Sequence, residues 1–217
     1  MALSAQNIKS VQKLQQIGGG ANGCIWRVEV IEEDGEKHIF AFKEFHDWRE
    51  SIEEIVVARY YISFICLIFF SSLDTAYNPI IYTIAFITDR LIPNTTGLLL
   101  ELMDNNLRYF IQTSSQPIPG VSSIIFDIAT AMNELHKNGI IHKDLRSENI
   151  LGLWENNNTQ LSVKIADFGL SKVNADLQLQ SSAIEFAPLI SPERIGSDGT
   201  ITAPTIYSDI YRFQLEN

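Results

Sequence analysis

The chain has 217 residues, of which 46% are hydrophobic, enough to build one large domain or two small lobes with their own cores. It carries 16 basic and 26 acidic residues, a net charge of −10, so we expect no nucleic-acid partner, because phosphate contacts need a basic surface. Cys24 and Cys66 lie far apart without metal-ligand spacing, and the N-terminus lacks the apolar core of a secretion signal. These features predict a cytoplasmic location, where cysteines stay reduced.

A glycine-rich turn joins the first two predicted strands, residues 11–17 and 24–30. The turn reads Gly18-Gly19-Gly20-Ala21-Asn22-Gly23, and its G-x-G-x-x-G spacing lets backbone amides approach phosphate oxygens. The same spacing marks dinucleotide sites, but there a helix follows the glycines at once. Here an alternating strand follows, which favours a strand-loop-strand phosphate cover. A plain flexible hairpin is the remaining alternative.

Lys43 lies in the next predicted strand, residues 38–45, directly after a continuous apolar run. A lysine in a strand is usually solvated, but its distance from the glycines favours a functional role. A helical pattern follows over residues 48–60, with apolar residues on one face and glutamates, including Glu53 and Glu54, on the other.

An apolar stretch, residues 61–75, comes between this helix and the next strand. A membrane span needs about twenty residues, so residues 61–73, the only membrane candidate in the chain, are too short to make membrane insertion the expected outcome. We favour an insertion or translated non-coding sequence. Further strands over residues 80–87 and 97–100 would complete a five-stranded antiparallel sheet.

The clearest helix pattern covers residues 122–137, with a serine pair at its start and Gly139 after its end. The residues predicted to share its buried face are Ile124, Ile125, Ile128, Ala131, Met132 and Leu135. We expect this helix to be scaffold that carries no chemistry of its own.

Residues 140–151 place charged and hydrogen-bonding side chains between two apolar flanks. Unpaired buried charge is costly, so this polarity indicates a site. Asp144 can accept a proton from an attacking hydroxyl, Arg146 can neutralise a transferring phosphoryl group, and Asn149 offers an oxygen ligand to a divalent cation. After the strand predicted over residues 161–165 comes Asp167-Phe168-Gly169, whose carboxylate can reach a magnesium ion that bridges phosphates.

Taken together, these motifs resemble those of the protein kinase family, over residues 9–213. Phe40-Ala41-Phe42-Lys43 is similar to V-A-I-K, and Asp167-Phe168-Gly169 matches D-F-G. The run His142-Lys143-Asp144-Leu145 with Asn149 resembles H-R-D-L-x-x-x-N, with Lys143 in place of the arginine. The loop from Asp144 to Asn149 is most similar to the tyrosine-kinase-like group, whose members mainly phosphorylate serine or threonine.

The resemblance implies an α+β, bilobal protein kinase-like fold. An N-terminal extension, residues 1–8, would precede an N-lobe, residues 9–101, with a five-stranded antiparallel sheet and one helix. Residues 102–217 would form an incomplete, mainly helical C-lobe that ends at the start of its central helix.

The resemblance also implies ATP and Mg²⁺ as cofactors and a protein as the substrate of a signalling enzyme. Lys43 would hold the α and β phosphates and pair with Glu54, for which Glu53 is the close competitor; Asp144 and Arg146 would complete the catalytic group. Asn149 and Asp167 would hold the metal. The predicted ATP-binding residues are Gly18, Gly19, Gly20, Ala21, Asn22, Gly23, Ile25, Ala41, Lys43, Glu101 and Met103.

Two questions stay open at the level of sequence. Serine or threonine is favoured over tyrosine as the acceptor, because a basic residue at position 146 fits that preference. The chain stops four residues after Phe213, so a catalytically inactive binding module or a kinase fragment is the alternative to an active enzyme.

Overall fold

The computed structural model describes residues 7–20, 23–47, 49, 52, 54–56, 80–81, 83–88, 91–115, 117–155, 159–173, 190–198 and 200–216. The chain divides into two compact units, Met1–Met103 and Asp104–Asn217. None of the helices in the described residues is long and apolar enough to cross a membrane. Several sequence-based predictions lie outside the described residues: most of the N-terminal extension, Ala21, Asn22, Glu53 and the apolar stretch 61–75.

The first unit is built on an antiparallel five-stranded sheet, as predicted, with the strand order β1-β2-β3-β5-β4. Its strands are β1 (Ile8–Gly20), β2 (Gly23–Glu32), β3 (Lys37–Phe45), β4 (Thr83–Ile87) and β5 (Gly97–Leu100). Strand β1 is longer than the predicted residues 11–17, because its backbone stays paired with β2 through Gly20.

Apolar side chains cover both faces of this sheet. One cluster of buried residues consists of Ile8, Val28, Val30, Phe42, Ala85, Ile87 and Leu99. A second cluster joins Phe45 and Leu98 to the half-buried Ile55, which lies in the helical residues 54–56. Packing on alternate strand residues therefore fixes the register that positions the polar side chains of β3.

The second unit combines helices with short strands. Its elements are β6 (Asn105–Asn106), α1 (Leu107–Thr113), α2 (Val121–Lys137), β7 (Ile140–Ile141), β8 (Ile150–Glu155), β9 (Gln160–Ile165), β10 (Lys172–Val173) and α3 (Ile206–Glu216). Strands β6, β8 and β9 form one sheet, and β7 pairs with β10. The sheet in the first unit and the helices and strands in the second agree with the predicted α+β class.

Helix α2 differs from its sequence-based prediction at two points. Its N-cap is Gly120, whose φ of 76° is left-handed and favours glycine, so the serine pair does not cap it. Ile125 was expected on the buried face but is 54% exposed, whereas Asp127 is buried. Burial raises the pKa of the Asp127 carboxyl, and a hydrogen bond from the backbone of Val163 partly offsets that effect.

Candidate active site

Lys43 and Glu54 form a buried ion pair in the first unit. Lys43 Nζ lies 2.7 Å from Glu54 Oε1 and 2.9 Å from Oε2, and the two residues are only 8% and 4% exposed. The lysine lies near the end of β3, where pairing with both β2 and β5 fixes its backbone. Since both carboxylate oxygens accept from the ammonium group, the pair holds the Lys43 side chain in one orientation.

The glycines of the predicted phosphate cover lie at the hairpin end of β1 and β2, where Gly18 pairs with Ile25 and Gly20 with Gly23. Of these, Gly23 is sterically required: a Cβ there would lie 2.0 Å from the backbone oxygen of Glu44. At Gly20, by contrast, an added Cβ would meet no atom within 4 Å. The close packing of the hairpin against β3 therefore requires glycine at position 23, the first residue of β2.

The remaining predicted nucleotide residues of this unit lie on or just after the same sheet. Ile25 is the cross-strand partner of Lys43, and the buried Ala41 faces Leu100 of β5. Glu101 and Met103 follow the end of β5, Glu101 half-buried and Met103 buried.

In the second unit, helix α3 anchors the loop that follows β7. The buried Asp209 carboxylate accepts from the backbone N–H of His142 at 2.9 Å and of Lys143 at 2.7 Å. Asp209 also lies 2.9 Å from His136 Nε2. Lys143 has a φ of 67°, an unusual left-handed conformation for a lysine, and these bonds help to hold it.

Hydrogen bonds hold both oxygens of the Asp144 carboxylate. Asn149 Nδ2 donates to Asp144 Oδ2 at 2.9 Å and to the Asp144 backbone oxygen at 2.8 Å. Arg212 of α3 donates to Asp144 Oδ1 at 2.9 Å. Asp144 is half-buried, so it is held in place while part of the carboxylate stays accessible.

The Arg146 side chain is bound by Glu148. Arg146 donates to Glu148 through two nitrogens, with Nε 3.0 Å from Oε2, and Arg108 donates to the same carboxylate. Hydrogen bonds from Arg146 are the main reason that the pKa of Glu148 falls to about 2; partial burial opposes them and Arg108 adds to them. The short helical turn Ser147–Asn149 brings Glu148 back toward Arg146.

Asp167 lies at a sharp turn after β9, with a φ of 62° and an exposed side chain. The next residue, Phe168, is buried and packs against the His142 ring at 5.1 Å between centroids. The backbone N–H of Ala166 donates to the backbone oxygen of Asn149 at 2.8 Å, which ties the segment that carries Asp167 to the loop that carries Asn149.

Two side chains of this unit offer the kind of oxygen atom that binds a magnesium ion. The side-chain nitrogen of Asn149 donates a hydrogen bond to Asp144. The side-chain oxygen of Asn149 is therefore the atom that can bind the metal ion. Asp167 contributes an exposed carboxylate. Carboxylate and amide oxygens are the hard ligands that Mg²⁺ prefers.

Comparison with known proteins agrees with this arrangement. The family model described as protein kinase domain matches residues 11–211. The chain belongs to the protein kinase family. It is 29% identical over 172 residues to a probable serine/threonine-protein kinase of Dictyostelium discoideum, a match that covers 76% of this chain and 29% of that protein.

Two further relatives match the kinase domain over about half of this chain. The Aurora kinase of Saccharomyces cerevisiae is 32% identical over 111 residues, 49% of this chain and 29% of that protein. The serine/threonine-protein kinase PknB of Mycobacterium leprae is 31% identical over 117 residues, 51% of this chain and 18% of that protein. This chain therefore spans less than a third of the length of each relative.

Each unit of this kinase domain brings together its own share of the predicted site residues. The first pairs Lys43 with Glu54, and the second joins Asp144 to Asn149 through hydrogen bonds. The sequence placed Asp209 and Arg212 at the start of the central helix of the C-lobe but assigned neither residue a role. The signal that could have found them was their spacing: charged residues three positions apart share one face of an amphipathic helix, and here that face is buried.

Proposed function

We propose that this kinase domain transfers the γ-phosphoryl group of ATP to a serine or threonine hydroxyl of a protein substrate. The observation that carries the proposal is the Asp144 carboxylate, which Asn149 and Arg212 hold in place within the loop that matches the catalytic motif. The names of the relatives, all serine/threonine-protein kinases or an Aurora kinase, support the choice of reaction.

In this mechanism the acceptor oxygen bonds to the γ-phosphorus while the bond between that phosphorus and the ADP oxygen breaks. Asp144 accepts the hydroxyl proton, and the electron pair of the broken bond leaves with ADP. Lys43, oriented by Glu54, binds the α and β phosphates. Arg146, held by Glu148, supplies positive charge to the phosphoryl group. Most of the rate comes from positioning and charge neutralisation.

We propose that the nucleotide contacts are those that the sequence predicts: the glycine segment 18–23 covers the phosphates, Ile25 and Ala41 contribute to ATP binding, and Glu101 and Met103 bind the adenine edge through backbone groups. Asn149 and Asp167 would hold Mg²⁺, which neutralises phosphate charge when it is bound. We further propose a role in signalling and a cytoplasmic location, the compartment that supplies ATP and keeps Cys24 and Cys66 reduced. Membership in the tyrosine-kinase-like group stays a prediction.

The inactive-module alternative is not favoured, because Lys43, Asp144, Asn149 and Asp167 all stand at the motif positions that the reaction needs.

A transfer assay tests the proposal. The purified chain is incubated with γ-labelled ATP, magnesium and casein as a general acceptor, and the labelled amino acids are identified after acid hydrolysis. We expect phosphoserine or phosphothreonine, lost on chelation of the metal and in Asp167→Asn. Asp198→Asn, which changes another exposed aspartate of the same unit, should keep the label. Equal labelling by wild type and Asp167→Asn would overturn the proposal, and phosphotyrosine alone would overturn its choice of acceptor.

A further inference from the structure

Arg212 contacts the loop of Asp144 in a way that scaffolding alone does not require. The arginine is 8% exposed on helix α3, and its NH1 group donates to the Lys143 backbone oxygen and, at 2.9 Å, to Asp144 Oδ1. One guanidinium nitrogen therefore spans the backbone and the side chain of consecutive residues.

A different residue of the same helix already anchors the loop backbone. Asp209 accepts from the N–H groups of His142 and Lys143, and it is fully buried. These two bonds already attach the loop backbone to α3. The hydrogen bond from Arg212 to the Asp144 carboxylate therefore has a separate effect, which is to restrict the Asp144 side chain.

The geometry around Asp144 shows what this restriction does. Arg212 donates to Oδ1 and Asn149 donates to Oδ2, so the plane of the carboxylate is defined from both sides. Each carboxylate oxygen can accept more than one hydrogen bond, so this arrangement leaves capacity for the acceptor hydroxyl.

We infer that Arg212 is a positioning residue for phosphoryl transfer, which sets the orientation of the Asp144 carboxylate. This inference rests on the proposed function. Arg212 touches neither ATP nor the acceptor in this account; it acts through Asp144, and its removal lowers the rate of the chemical step while nucleotide binding is kept.

The test compares Arg212→Met and Arg212→Lys with wild type in steady-state transfer assays on the full chain. We expect Arg212→Met to lower kcat about 10- to 100-fold, the range in which a modest misplacement of a reacting group falls. The KM for ATP should stay within about twofold. Arg212→Lys should recover part of kcat, because lysine restores a positively charged hydrogen-bond donor at position 212. Gln214→Met, an exposed position on the same helix, is the matched control and should behave as wild type.

A double-mutant cycle separates positioning from a general loss of structure. In an Asp144→Asn background, Arg212→Met should change the residual rate by less than about twofold, because the carboxylate on which Arg212 acts is gone. An unchanged kcat in Arg212→Met, or an equal fold-loss in both backgrounds, overturns the inference. A wild-type rate no higher than that of Asp144→Asn is a different result: it overturns the proposed function, and the inference that rests on it.

Discussion

The Lys43–Glu54 pair offers a quantitative test of the first unit, through the substitution Glu54→Gln. Glutamine keeps the shape and one acceptor oxygen, but it leaves the Lys43 ammonium group buried without a counter-charge. The burial decides the magnitude: the two side chains are 10% and 5% exposed, whereas exposed pairs contribute only about 0–1 kcal/mol. At a separation of about 3 Å and an effective dielectric constant of about 20, the attraction is of order 5 kcal/mol before desolvation is subtracted.

We therefore expect Glu54→Gln to lower the free energy of unfolding by about 3 kcal/mol, the lower end of the range for breaking a buried pair. Lys43→Met should cost a similar amount, because it leaves the carboxylate uncompensated. The double substitution leaves no buried charge, so it should cost at least about 2 kcal/mol less than the sum of the two single losses.

The assay is urea unfolding followed by tryptophan fluorescence in a Trp154→Phe background, which leaves the tryptophans of the first unit as the probes. The control is Glu29→Gln, the same change in a pair whose lysine, Lys37, is 60% exposed, and it should cost no more than about 1 kcal/mol. Two results would refute the buried pair and its orienting role. One is a loss of unfolding free energy in Glu54→Gln no larger than in Glu29→Gln. The other is a loss in the Lys43→Met/Glu54→Gln variant equal to the sum of the two single losses.

Two further substitutions test the hairpin and the arginine cluster. Gly23→Ala should lower the unfolding free energy by about 3 kcal/mol, because the added Cβ would lie 2.0 Å from the backbone oxygen of Glu44. Gly20→Ala should change it by less than about 0.5 kcal/mol, because an added Cβ there meets no atom within 4 Å. Equal urea midpoints for the two variants would contradict this. The pKa of Glu148 falls from 4.5 to about 2 on folding, so its carboxylate stabilises the fold above pH 4.5 and loses that effect as the pH falls toward 2. Glu148→Gln should therefore cost up to about 1 kcal/mol at pH 7 and progressively less on acidification, as measured by urea unfolding at several pH values; a cost that is constant with pH would rule out this origin.

Local patterns in the sequence were enough to predict the sheet and the motif residues. Strand alternation and the turn glycines depend on neighbouring residues, so the strands around Gly23 and Lys43 could be predicted without tertiary information. The chemistry of Asp144 and Asn149 follows from the residue types and their spacing within one short loop. The family match then shows that this order of motifs belongs to a kinase domain.

Contacts between distant residues were beyond the reach of those patterns. Arg212 and Asp144 are 68 positions apart, so no periodicity connects them. Ile125 was predicted to be buried because apolar periodicity identifies the direction of a helix face but not the width of the surface that covers it. The sequence assigned Arg146 to the transferring phosphoryl group but did not identify Glu148 as its partner, because that contact depends on the turn at Ser147–Asn149.

The most direct test of the central claim is the rate of phosphoryl transfer from ATP by the chain and by its Asp144→Asn variant, at equal concentration of folded protein. Removing a general base typically costs about 10²- to 10⁴-fold, and we predict a loss in that range. Asp34→Asn, a change in the exposed turn between β2 and β3, should leave the rate unchanged. If Asp144→Asn transfers phosphate as fast as wild type, Asp144 is not the proton acceptor and the account of catalysis is wrong.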